Sequence, residues 1–115
     1  MHVQVNTDNH VGGNDGLSRR VEAEVGDALG RFEGQITRVE VHLNDVNGPK
    51  SGADKRCLME ARLAGRQPVA VSHVAETVDE AVSGAAEKLE RTLDRTFDRL
   101  SDHKGRTPMG GDPAI

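Results

Sequence analysis

The chain has 115 residues, a formal net charge of −4, one cysteine, two Phe and neither Trp nor Tyr. That length reads as one domain with one core, and at 30% charged against 35% hydrophobic residues the core is modest and the surface heavily charged. A single cysteine excludes an internal disulfide, and the lack of aromatic platforms argues against recognition of nucleic-acid bases by stacking.

The start, MHVQVNTDNH, has no charged segment followed by an apolar run, so no signal peptide is expected. No stretch approaches the roughly 20 apolar residues of a membrane span. A reducing, cytoplasmic setting is the simplest expectation. Val3 and Val5 alternate with His2, Gln4 and Asn6, which is strand period. DNHVGGNDG follows as a turn-rich loop. Residues 16–32 have helix period, with Leu17, Val21, Val25, Ala28, Leu29 and Phe32 on one face and Asn14 or Asp15 as N-cap. Residues 35–45 alternate again, with Thr37, Val39, Val41 and Leu43 inward and Arg38, Glu40, His42 and Asn44 outward. After the polar connection VNGPKSGAD, residues 55–63 place Cys57, Met59, Ala61 and Leu63 on one face. AGRQP turns the chain into a short last strand over 69–72. Helix period returns from about Thr77 to Leu100, and the Gly- and Pro-containing segment 101–115 is expected to be a disordered tail.

The predicted fold class is α+β, in the order β-α-β-β-β-α. Each strand has one apolar face, so a four-stranded sheet needs one cover, and two amphipathic helices supply it as a two-layer sandwich. The helical crossover is right-handed and makes the first two strands parallel. The later connections are short enough for antiparallel pairing. The predicted core contains Val3, Val5, Leu17, Val21, Phe32, Val39, Val41, Leu43, Met59, Leu63, Val71, Val82, Leu89 and Leu93.

No motif of catalysis stands out. The five histidines His2, His10, His42, His73 and His103 include no i,i+4 pair, there is no CxxC, and no metal site or cofactor is predicted. Cys57 falls on an apolar face and reads as a core residue. VGGNDG lacks the GxGxxG spacing, and Asp15 would put negative charge where a phosphate must sit. Ser72 and His73 are adjacent in sequence, which does not make a nucleophile and its base. The chain is therefore expected not to be an enzyme and to take no small-molecule substrate.

The most informative stretch is 87–100, EKLERTLDRTFDRL. At about 100° per residue, Lys88, Arg95 and Arg99 share one flank of the helix. Glu87, Asp94 and Asp98 share another, and Arg91 lies between. Two readings compete. One is a solvated helix laced by i,i+4 pairs such as Glu87–Arg91, each worth about 0.2–0.5 kcal/mol. The other is a ridge that tracks phosphates.

The element order and this helix together resemble the ribosome hibernation-promoting factors, also called ribosome-associated inhibitor A or YfiA-like proteins, over roughly residues 1–100. EKLERTL looks like the family's D-K-L-x-R-Q-L, and AETVDEAVSGAAEKL follows its E-D-M-Y-A-A-I-D-x-x-x-D-K-L in register. VQVNTDNHV…DGL is similar to the family's first strand, T-G-x-x and helix start.

The resemblance implies a fold related in appearance to double-stranded-RNA-binding domains. It implies a ribosome-binding domain over 1–100, followed by the tail. It implies a non-catalytic translation inhibitor that binds small-subunit rRNA near the decoding centre in stress or stationary phase. Lys88 and Arg91 stand on the family's basic motif, and Arg95 and Arg99 on later basic positions. Should the helix not carry binding, Arg38, Arg56 and Arg62 on the open sheet face are the next candidates for rRNA contact. The chain is expected to be the short form, without the long form's dimerising domain, and to be monomeric when free, with no membrane partner. It departs from the family at Asp79 (usually Tyr), Ser83 (usually Asp) and Glu24 (commonly Lys), and its net charge is negative. These departures keep a second function in play: a protein-interaction module of the same fold that has lost RNA binding.

Overall fold

The computed structural model describes residues 1–7, 15–45 and 55–105, with side chains described for residues 1–7, 16–45 and 55–98. The loop at 8–14, its N-cap residues, the connection at 46–54, the side chains of Arg99 and Leu100, and residues 106–115 of the tail lie outside the described residues.

Strand β1 (His2–Thr7) leads to helix α1 (Asp15–Leu29) and a 3-10 turn over Gly30–Gln35. Strands β2 (Ile36–Asp45), β3 (Lys55–Leu63) and β4 (Val69–Ala75) follow, then helix α2 (Val78–Gly105). The sheet order is β1-β2-β3-β4. β1 runs parallel to β2, as a helical crossover demands, and the two later pairs are antiparallel. The β3–β4 turn passes through Gly65 at φ 69, a left-handed conformation that glycine adopts without a Cβ penalty.

Alternation holds along β3, with Cys57, Met59, Ala61 and Leu63 buried. In β2 it breaks once. The register shifts between Ile36 and Arg38, so Ile36 is buried beside Val39. Thr37, expected inward, is exposed and donates its hydroxyl to the Arg62 carbonyl at 3.0 Å. A bulge adds one residue and reverses the side-chain phase before it. Val3, Val5 and Val71 are only half-buried against the core, because β1 and β4 are the sheet edges. The other predicted core residues are buried, joined by Val25, Leu29, Ile36, Cys57 and the small Ala61, Ala81, Ala85 and Ala86.

Helix α1 stops at Leu29, and the chain tightens into the 3-10 turn, whose buried Phe32 meets Phe97 of α2 with ring centroids 5.4 Å apart. Gly30 and Gly34 favour that early stop by weakening helix propensity. Helix α2 begins at a Thr77 cap, the Glu80 amide donating to the Thr77 hydroxyl at 3.1 Å. It runs to Gly105, five residues past the end read from the sequence. No Gly or Pro interrupts residues 101–104, so an existing helix extends there at little cost.

Cys57 is a core residue. Burial pushes its thiol up to about 12, and the thiolate is the reactive form. The native chain is therefore expected to react with a thiol reagent only when unfolded. A raised folded value also gives stability that is complete below the ordinary thiol range and is lost as pH climbs through it toward the folded value. Between about pH 8 and about pH 10, the unchanged chain should lose about 1–2 kcal/mol more than Cys57→Val, read from urea unfolding at both pH values.

Candidate nucleic-acid interface

The outer surface of α2 divides by charge because the helix period places its ionic residues on two flanks. The flank beside α1 is acidic, and α1 and the 3-10 turn neutralise much of it. Arg20 reaches Asp79 at 3.4 Å, and Arg31 spans Glu90 at 3.6 Å and Asp94 at 3.1 Å. The Asp94 hydrogen bond is the largest influence raising the Arg31 pKa. Arg31 also lies 4.3 Å over the ring of its neighbour Phe32, so the guanidinium that ties the turn to α2 by charge is held within the turn by a π contact. Ser83 donates to Glu24 at 3.3 Å. All of these groups are solvent-exposed or nearly so, and such pairs are individually weak.

The three departures from the family pattern thus converge on one seam. Asp79 takes Arg20, while Glu24 and Ser83 take each other. Nothing in the residue spacing announces these contacts, whose partners lie 59 to 63 positions apart.

The other flank, toward β4, carries Lys88 and Arg95, with Arg91 between them and the acids, all three exposed. At about 100° per residue they fall within an arc of roughly 60°, and the row is about 10 Å long. Among the described residues, neither Arg91 nor Arg95 forms an ion pair or side-chain hydrogen bond, and Glu87–Arg91 is not formed. Lys88 donates to the Ser72 carbonyl on the sheet edge at 2.9 Å. An ammonium has three donors, so two remain for another acceptor. Arg99 continues the helix, but its side chain lies outside the described residues.

The open sheet face is built differently. Arg38 and Arg62 are cross-strand neighbours, and Glu40 sits between them, 3.1 Å from Arg38 and 3.7 Å from Arg62. Arg62 also meets Glu60 at 3.6 Å, His42 approaches Glu40 at 3.6 Å, and Arg38 donates to Gln4. The Arg38 Nε is buried yet makes no hydrogen bond, so its contact with Glu40 is one of charge proximity. Arg56 alone of the three sheet arginines has no ion pair among the described residues. The sheet cations are thus largely spoken for, whereas Arg91 and Arg95 are not. No group of three or more His, Cys, Asp or Glu among the described residues could hold a metal ion. No helix among them is long and apolar enough to cross a membrane.

A mixed four-stranded sheet, two helices on one of its faces and a cationic row on the last helix define an α+β sandwich with one electropositive flank. The sequence matches the model of the sigma 54 modulation protein / S30EA ribosomal protein family over residues 3–101. The chain belongs to that family, the ribosome hibernation-promoting factors. Its structure is similar to the N-terminal domain of Thermus thermophilus Protein Y, with a TM-score of 0.67 and 19% identity over 84% of this chain and 99% of that one. It is equally similar to a ribosomal subunit interface protein from Coxiella burnetii, with a TM-score of 0.67 and 16% identity over 85% of this chain and 99% of that one. At these identities the likeness is one of fold. No curated protein matches the sequence.

Proposed function

We propose that the chain is a non-catalytic translation inhibitor of the cytoplasm that binds small-subunit rRNA near the decoding centre in stress or stationary phase. The observation that carries this reading is the division of charge on α2. Arg20 and Arg31 occupy three acids of one flank, while Arg91, between the flanks, and Arg95, on the other, stay free of partners among the described residues. A net charge of −4 therefore does not describe the surface that an RNA would meet. Phosphate recognition needs point charges on an exposed ridge and no aromatic stacking, and the chain has no Trp or Tyr. Membership of a ribosome-associated family supports the same partner.

Lys88, Arg91 and Arg95, with Arg99 beyond them, form the proposed contact, and Arg56, which has no ion pair among the described residues, is the remaining candidate on the sheet. Co-sedimentation with purified subunits tests the proposal. At low salt the chain should travel with small subunits and not with large ones, and the bound fraction should fall as salt rises. A chain that stays at the top of the gradient at every salt concentration would instead favour the protein-interaction module, for which the negative net charge speaks.

A further inference from the structure

Strand β4 turns Val69, Val71, His73 and Ala75 toward the helices, and His73 is the polar member of that series. Its imidazole packs on Gly84 of α2. A Cβ at position 84 would overlap the ring at Cδ2, Nε2 and Cγ. Glycine disfavours a helix interior, and this close approach accounts for its presence there. One turn further along the same row of α2, Lys88 donates to the carbonyl of Ser72, the residue before His73. Two adjacent strand residues thus meet an i,i+4 pair on the helix, once through a ring against backbone and once through a hydrogen bond.

We propose that His73, seated on Gly84, is a positioning residue that sets the height of α2 above β4. At that height Lys88 reaches the edge carbonyl, and the row Lys88, Arg91 and Arg95 stands along the outer side of the strand. The consequence for RNA binding rests on the ribosome reading of that row, but the contact itself does not. A methyl at 84 competes with the ring for one volume, so the helix must lift or the ring must leave. Lifting the helix takes Lys88 off Ser72. Removing the ring makes room for the methyl and lets the helix return.

The test measures acetylation of Lys88 by an amine-reactive ester in the free full chain, read by peptide mass spectrometry, beside affinity for small subunits. In Gly84→Ala, Lys88 should acetylate roughly threefold faster or more, the ratio expected when one hydrogen bond of ordinary net strength is lost. His73→Ala/Gly84→Ala should restore the original rate. Affinity should fall in the single variant and recover in the double, with urea midpoints of all three chains measured alongside to separate positioning from a change in folding stability. An acetylation rate unmoved by Gly84→Ala, or not restored in the double variant, overturns the proposal. If Gly84→Ala does not fold, a folded double variant supports it and an unfolded one overturns it. If Lys88 responds as stated while no chain, the unchanged one included, binds small subunits, the positioning role stands and the ribosome reading falls.

Discussion

Leu89→Ala should cost about 2–5 kcal/mol of folding stability, the range for emptying a buried leucine site. Leu89 is fully buried where α2 packs on the sheet, with Leu93 one turn on. Loss of that side chain removes its transfer energy and leaves a cavity between the two layers, which the small Ala85 and Ala86 nearby have little means to fill. Against a typical total of about 5–15 kcal/mol this is a large fraction. The comparison is Val74→Ala on the open sheet face, where the residue is 43% exposed and the change should stay within about 0.5 kcal/mol. Urea midpoints with unchanged slopes give both values. A loss below about 1 kcal/mol at Leu89 would mean that the buried face of α2 has been misassigned.

The triple change Lys88→Gln, Arg91→Gln and Arg95→Gln should reduce the magnitude of the log K against log salt slope for small-subunit binding by about 2–3, near one unit per lost phosphate contact. The three side chains are exposed, and Arg91 and Arg95 take no part in the ion pairs described. Folding stability should therefore move by only about 0.5 kcal/mol, with the Lys88–Ser72 hydrogen bond as the main loss. The acidic residues supply the control. Glu87→Gln with Asp98→Gln should leave binding intact or strengthen it, because both groups are exposed and neither forms an ion pair among the described residues. Equal affinity and an unchanged slope in the triple variant would reduce the row to solvation and shift attention to Arg56 and its neighbours on the sheet.

What was legible in the sequence follows from periodicity. Alternation located all four strands, and the apolar stripe Val82, Leu89, Leu93 oriented α2, so the direction of Lys88, Arg91 and Arg95 followed from geometry alone. Periodicity fails where the backbone changes phase. The bulge ahead of Arg38 exchanged Ile36 for Thr37, and the glycine-rich end of α1 converted its last predicted turn into a 3-10 segment that still buries Phe32. The division of the acids on α2 was not legible. It depends on Arg20 and Arg31, which meet their partners only once α1 lies beside α2. Read one residue at a time, the departures at Glu24, Asp79 and Ser83 put ribosome affinity in doubt. In the fold two of them contact each other and the third is paired by Arg20, away from the cationic row.

Hydroxyl-radical footprinting of small-subunit rRNA, with and without the bound chain, tests the central claim most directly. The backbone of the decoding region should be protected in proportion to occupancy, and the triple Gln variant should lose that protection while the Glu87→Gln, Asp98→Gln variant keeps it. Protection confined to another part of the subunit, or an unchanged footprint with the triple variant, would contradict the assignment of the α2 row to rRNA at the decoding centre.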